Sequence, residues 1–376
     1  LETFKEARNQ LKKLKQQQSQ YSPLVRIVFT IVAYQDAPHL KRLIDAILLP
    51  QHVVIVHLER SASSDFVQQV HNIAVDKENV VVMQFGTVVY PTDSVSQINM
   101  EIMEWLVHDV QWQYDYHITL GGATFPLWSA TELERYLASS EAQDTDVWMG
   151  ELLHKGQHVH HPQSAMVWNR KRLYASTSDK LDARTGTIVS IPVPDWLDTA
   201  MHHKSTSGNQ AVYSYRVVQQ LVSHPQIRHL FALAKYGCCC CLEERTWIAA
   251  MDILGLLSQA KTHYSMFQLW GGPSSSDGTC HGGMKNSVLE WHSDNVMVRS
   301  SGNDDDFNAV QRQSNQPCHY TSEHAYHSGG LLNVTQIWES LVQAKAKGVL
   351  FARKFHSNNP RSMKLLETIV QTLHRI

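Results

Sequence analysis

At 376 residues, with 43% apolar and 18% charged positions, the chain has the composition of a globular protein and excludes a disordered, fibrous or low-complexity one. Lys+Arg 33 against Asp+Glu 35 gives a net charge of -2, which removes the electrostatic case for a nucleic acid partner. No apolar run reaches the ~18 residues of a membrane-spanning helix, so this length predicts a buried core in one large domain or two closely joined ones.

Residues 1–22, rich in Lys and Gln with spaced Leu and Phe, predict an exposed stem helix, followed by a single domain over 23–376. The compact apolar run at 25–34 (VRIVFTIVAY) predicts a buried parallel strand, and Leu40, Leu43, Ile44 and Ile47 then recur at helical spacing over 38–48. Val53 to His57 reads as a second buried strand, 65–75 as a helix and Val80 to Met83 as a third strand. A helix around 94–107, a strand from Tyr116 to Leu120, a turn at Gly121-Gly122 and a helix near 130–138 follow. This alternation predicts an α/β fold, a Rossmann-type sheet flanked by helices with a crossover at every step. Ligands of open α/β sheets sit beyond the carboxyl ends of the strands, so His57 to Arg60 and Gly121 to Phe125 are candidates for a binding cleft. Residues 151–206 are less regular and His-rich. Regular structure resumes at 210–222, 226–235 and 243–257, a Gly/Ser-rich loop occupies 272–283, and Leu350 to Phe355 precedes a terminal helix.

All six cysteines lie in the C-terminal half: Cys238, Cys239, Cys240, Cys241, Cys280 and Cys318. The adjacent run lacks the spacing of a zinc site, and a disulfide from it to Cys280 or Cys318 is its expected use in an oxidising compartment. Directly after the run stands Glu243-Glu244-Arg245-Thr246-Trp247, an acidic pair at the start of a helix-like apolar pattern. Carboxylates at a helix start complement its dipole, and one placed in a cleft serves equally as a base.

In chain order, Leu43-Ile44-Asp45-Ala46-Ile47, Val56-His57-Leu58-Glu59-Arg60-Ser61, Val88-Val89-Tyr90, Tyr116-His117-Ile118-Thr119-Leu120-Gly121-Gly122, Phe125-Pro126-Leu127, Ser207-Gly208-Asn209, Glu243-Glu244-Arg245-Thr246-Trp247 and Leu350-Phe351-Ala352-Arg353-Lys354-Phe355 form a series. This series resembles the core-2/I-branching β-1,6-N-acetylglucosaminyltransferase family, glycosyltransferase family 14, which includes xylosyltransferase-like members. The resemblance implies a GT-A-like nucleotide-sugar-binding domain. It also implies inverting, metal-independent transfer of a sugar, GlcNAc first among the candidates, from a UDP-sugar to a glycan or glycoprotein hydroxyl. Xylosyl or glucuronosyl transfer within the family, and a carbohydrate- or nucleotide-binding descendant without turnover, are the alternatives.

Residue by residue, the resemblance makes Glu244 the catalytic base and Arg353 and Lys354 the partners of the departing diphosphate. Val32 and Glu59 complete the donor-binding set, at the ends of the first two strands, and Glu151 and Trp291 become acceptor contacts. No metal or other cofactor is expected. Asp144-Thr145-Asp146 and Asp304-Asp305-Asp306 read as solvated turns rather than metal-binding motifs, and His154, His158, His160 and His161 as surface residues.

The sequence departs from the family pattern at Thr124, where an Asp is usual, at Tyr90-Pro91-Thr92-Asp93-Ser94, which lacks a Trp, and near Ser322 and His324, where a second phosphate-binding Arg is missing. By the same resemblance the protein is a type II Golgi membrane protein, its catalytic domain lumenal and its anchor preceding this fragment. The sequon Asn333-Val334-Thr335 agrees with a lumenal setting.

Overall fold

The computed structural model describes residues 2–18, 23–88, 94–150, 152–153, 172–176, 188–192, 204–205, 209–234, 243–262, 266–268, 289–292, 295–298, 334–353, 355–358 and 360–374. Helix α1 (Glu2–Gln18) leads into strand β1 (Ile27–Ala33), and α2 (Ala37–Ile47), β2 (Val53–Leu58), α3 (Ser64–Ala74) and β3 (Val80–Met83) follow as expected from the apolar periodicity. Asp36 accepts a bond from the backbone of His39 to cap α2, and Pro38 in its first turn gives up no helical hydrogen bond. Leu40, Leu43, Ile44 and Ile47 are all buried on one side of that helix.

The middle of the chain comprises α4 (Ser94–Glu104), which runs on in a wider turn to Val110, then β4 (Tyr116–Gly121), β5 (Thr124–Pro126), α5 (Ala130–Ala138), the single turn α6 (Ser140–Gln143) and β6 (Val147–Met149). Short strands β7 (Leu152–Leu153), β8 (Arg172–Ser176), β9 (Ile188–Pro192) and β10 (Lys204–Ser205) come next, then β11 (Val212–Ser214), α7 (Tyr215–Ser223), α8 (Pro225–Ala234) and α9 (Glu243–Ile253). The remaining elements are β12 (Lys261–Thr262), β13 (Met266–Gln268), β14 (Leu289–His292), β15 (Asn295–Val298), α10 (Val334–Ala346), β16 (Phe351–Arg353) and α11 (Pro360–Thr368).

Seven strands form the main sheet in the order β12-β6-β11-β4-β1-β2-β3. β4, β1, β2 and β3 are parallel neighbours, whereas β11 is antiparallel to both β4 and β6. The α/β sheet expected from the sequence is therefore present, but β11 breaks the expected series of crossovers. Its short apolar triplet, Val212 to Ser214, carries no mark of strand direction. A second expectation also changes: α9 stops at Ile253 rather than continuing to residue 257, because Gly255 takes φ +69 and turns the chain away.

The pleat sends alternate residues to opposite faces. On one face Val28, Val53, Ile55 and Val81 pack with α4, α7, α8 and α9, and on the other Phe29, Ile31, Val54 and Val56 pack with α2, α3 and α5. A third cluster joins Phe125, Leu127, Ala352 and Phe355 to Leu341 of α10 and Leu365 of α11. Contrary to an exposed stem, α1 is packed into the protein: Ala7, Leu11 and Leu14 are buried, and Gln10 Nε2 donates 2.9 Å bonds to the carbonyls of Glu78 and Val80. Phe4 lies 4.6 Å from the ring of Phe85, so the apolar residues spaced among the Lys and Gln of this helix form a docking face. Among the described residues no helix is long and apolar enough to cross a membrane.

Four histidines, His39, His52, His57 and His117, are enclosed by this core. His117 receives the Thr30 hydroxyl at 2.9 Å, and burial lowers its pKa to about 3. His52 lies 5.9 Å from the Phe29 ring, has no bonding partner for either ring nitrogen among the described residues, and is likewise pushed down to about 3, while His39 falls to about 4. The unfolded chain binds protons at these groups near 6.5 and the folded protein does not, so stability present above 6.5 is lost as the pH falls toward the folded values. For His52 this amounts to about 2 kcal/mol at about pH 5. Thermal unfolding followed by circular dichroism is expected to show a lower Tm at about pH 5 than at about pH 7.5, and His52→Phe is expected to narrow that gap. An unchanged gap in a folded His52→Phe protein would contradict the assignment.

Candidate active site

The strand order supplies a switch point. β1 is followed in space by β2 and β3 on one side and by β4 on the other, so the connections diverge between β1 and β4 and leave a crevice at their carboxyl ends. The Gly122 N–H donates to the Val32 carbonyl at 2.9 Å, and the Glu59 N–H donates to the Ala33 carbonyl at 3.0 Å. These bonds bring the ends of β4, β1 and β2 to one level. A Cβ at Gly122 would stand 3.1 Å from the Ala33 Cβ, so a glycine is what lets the chain leaving β4 lie against β1.

Val32 is half-buried, packs toward the α4 side and pairs with His57 and Gly121. Glu59, 5% exposed, turns one carboxylate oxygen back to Ser61, whose N–H donates at 2.7 Å and whose hydroxyl donates as well. The other oxygen, Oε1, is buried and has no partner among the described residues, so an acceptor is left over at the end of β2. Beside it the His57 Nε2–H donates to the Phe85 carbonyl at 2.5 Å, and burial lowers the imidazole pKa. Val32 and Glu59 thus lie at adjacent strand ends.

Arg353 reaches the same end of the molecule from the far side of the sequence. β16 pairs antiparallel with β5, setting Arg353 opposite Thr124, Ala352 opposite Phe125 and Phe351 opposite Pro126, and β13 lies parallel on its other edge. β5 begins just after the Gly121-Gly122 turn, so the Arg353 backbone stands next to the mouth between β1 and β4. Thr124, where the family resemblance leads one to expect Asp, is buried and donates its hydroxyl to Gln210 Oε1 at 3.1 Å. Lys354 lies outside the described residues.

Glu244 stands in the first turn of α9. Three residues on, Trp247 is fully buried, donates its indole N–H to Ser96 Oγ at 3.0 Å, stacks on Tyr213 at 5.4 Å and meets the Phe231 ring edge-on at 4.7 Å. α9 also packs against β10, which pairs antiparallel with β7, the strand directly after Glu151. Glu151 itself lies outside the described residues. Trp291 is placed by its backbone in a two-stranded hairpin, opposite Val296, that shares no ladder with the other strands described. The backbones of Val32, Glu59 and Arg353 therefore lie near the carboxyl ends of β1 and β2 and the start of β5, Glu244 stands in the first turn of α9, and Trp291 is in a separate hairpin.

Of the acidic motifs, Asp146 accepts the Ser214 hydroxyl at 2.5 Å and pairs with Arg216, tying β6 to β11. Asp304 to Asp306, the four loop histidines, all six cysteines, Asn333, and Ser322 and His324 lie outside the described residues. The sequence reading missed Asp36, Gln210 and Ser96. Only Asp36, two positions before a proline that opens a helix, carried a local signal.

Fold and crevice together define an α/β protein with its candidate site at the switch point of a mostly parallel sheet. Residues 27–187 match the model of the Core-2/I-Branching enzyme family. The Mus musculus beta-1,3-galactosyl-O-glycosyl-glycoprotein beta-1,6-N-acetylglucosaminyltransferase 3 is 28% identical over 121 residues, 32% of this chain and 27% of that protein. The crystal structure of S. aureus TarS 1-349 overlaps with a TM-score of 0.28 at 13% identity, over 56% of this chain and 55% of that one, too slight a likeness to support an argument. Val32, Glu59 and Glu151 fall inside the family match, whereas Glu244, Trp291, Arg353 and Lys354 lie beyond it.

Trp247 is the anchor on which the position of Glu244 depends. Trp247→Ala is expected to lower stability by about 3–5 kcal/mol, the cost of emptying a large buried aromatic site. Urea unfolding measures this, and a change below about 1 kcal/mol would show that α9 is held by other contacts.

Proposed function

We propose that the protein is an inverting, metal-independent glycosyltransferase that moves GlcNAc from UDP-GlcNAc to a hydroxyl of a glycan or glycoprotein and gives a β-linked product. The observation that carries this reading is the meeting of Val32, Glu59 and the Arg353 strand at the switch point of a sheet whose residues 27–187 match the Core-2/I-Branching enzyme model. The named activity of the mouse relative agrees with it.

In this reading the uracil lies against the ends of β1 and β2, where the unpartnered Oε1 of Glu59 accepts a bond from an N–H or O–H of the nucleoside. Arg353 and Lys354 face the diphosphate. As the bond between the sugar C1 and the diphosphate oxygen breaks, negative charge grows on that oxygen, and the two cations stabilise it. Glu244 takes the proton from the acceptor hydroxyl as its oxygen attacks C1 from the opposite face, which inverts the configuration. Glu151 and Trp291 hold the acceptor sugar. Residence in the Golgi lumen, with an N-terminal membrane anchor, completes the proposal.

Release of UDP by the purified protein in EDTA, with UDP-GlcNAc, UDP-xylose and UDP-glucuronic acid offered against a panel of glycan acceptors, tests it. The expected result is acceptor-dependent release from UDP-GlcNAc that falls by about 10²–10⁴ in Glu244→Gln, the range for loss of a positioned general base. Turnover of a different donor would correct the sugar. UDP binding without turnover on any acceptor would replace the transferase with a binding protein.

A further inference from the structure

Asp36 stands three residues past the end of β1 and adopts the left-handed conformation, φ 65 and ψ 58, which asparagine and aspartate tolerate better than most residues. Its carboxylate accepts bonds from the His39 N–H at 3.1 Å, the Ser357 N–H at 2.8 Å and the Ser357 hydroxyl, and His356 Nδ1 stands 3.8 Å away. Burial alone raises the pKa of this acid, yet the bonds from Ser357 and His39 hold it below the usual carboxylate value. It is an anion at neutral pH, joined to a partner 321 positions along the chain.

That placement ties the start of α2 to the far end of the sequence at the carboxyl end of β1. The same carboxylate grips the turn just after β16. The end of β16, which bears Arg353, is thus held in place. Ala352 and Arg353 pair with Phe125 and Thr124. Past β16, the Phe355 N–H donates to the Ala123 carbonyl at 2.8 Å, the Phe355 ring stacks on His39 at 6.3 Å, and Ser357 is bound by Asp36. The ring of His39 is itself fixed, its Nε2–H donating to the Thr124 carbonyl at 3.1 Å.

We propose that Asp36 is a positioning residue that, through Ser357, holds the end of β16 bearing Arg353 at the end of β1 where the diphosphate of the nucleotide sugar lies. This rests on the transferase reading above. Asp36 touches no reacting atom; it acts through Arg353, and its effect falls on the phosphates rather than on the nucleoside.

Isothermal titration of the full chain with UDP and with uridine separates the possibilities. Wild type is expected to bind UDP more tightly than uridine. In Asp36→Ala the UDP affinity is expected to fall about tenfold or more, the effect of releasing charge-assisted bonds, with uridine affinity unchanged. Asp36→Asn, which keeps an acceptor oxygen, restores part of the loss, and Ser357→Ala weakens UDP alone by a smaller factor. If Asp36→Ala does not fold, Ser357→Ala carries the test with the same expected pattern. A folded variant that binds UDP as wild type does, or loses UDP and uridine equally, overturns the inference and leaves the transferase reading standing. Wild type that prefers neither ligand or binds no UDP overturns both.

Discussion

Hydrogen bonds at the carboxyl end of β1 set the level at which anything in this protein can meet a ligand. β1 is the central strand of a parallel group, buried on both faces, and its last two carbonyls accept the Gly122 and Glu59 N–H groups of its neighbours. An unpaired backbone group inside a sheet is costly, so these bonds fix where β2 and β4 end relative to β1. Glu59 and the Gly121-Gly122 turn follow from that registration, as does the tight approach to Ala33. β5, one turn later, inherits its position from β4, and β16 inherits its own from β5.

The C-terminal segment is a satellite of the main sheet rather than a continuation of it. Its core of Phe125, Ala352, Phe355, Leu341 and Leu365 is separate from the two layers that flank the large sheet. Three kinds of contact join the units: the β5–β16 ladder, the burial of Leu350 and Phe351 in the layer on the α2 side of the large sheet, and polar bonds across the boundary, such as Trp128 Nε1 to the Val349 carbonyl at 2.8 Å and Lys345 to Glu132 at 2.9 Å. The half-buried Lys345–Glu132 pair is partly shielded from solvent, and the capping bonds that Glu132 accepts from Ser129 satisfy its second oxygen. Such pairs specify how two surfaces meet more than they add to stability.

The elements of the first half were legible because each is long and strictly periodic. β1, β2 and β3 are compact apolar runs rich in Val and Ile, and α2 places four aliphatic residues on one side. β11 was not legible as an antiparallel strand, since three residues before a helix say nothing of direction. The docking of α1 was also hidden: Leu11 and Leu14 look sparse among Lys and Gln, but with Ala7 they form one face, and the amide of Gln10 finds carbonyls at the edge strand. At the site, Val32 and Glu59 were readable because strand ends are where α/β sheets bind. Asp36 was not, because its partner Ser357 is near only after the whole chain has folded. Local pattern shows an N-cap there and nothing of the second bond.

The two halves of the proposed chemistry hang on the same sheet by independent attachments. Glu244 is carried by α9, and Trp247 seats that helix against Ser96 of α4, Tyr213 of β11 and Phe231 of α8. Arg353 is carried by β16, seated against β5 and clamped from Asp36 at the end of β1. Transfer with inversion needs base, sugar carbon and leaving oxygen close to one line, and small displacements of either end are costly in rate. Neither attachment passes through the other, so the common reference is the rigid sheet between them, β11 and β4 on one side and β1 on the other. A sheet packed on both faces deforms little, which suits it to hold two groups at a set separation while the substrate, lying beyond the strand ends, supplies the rest of the alignment.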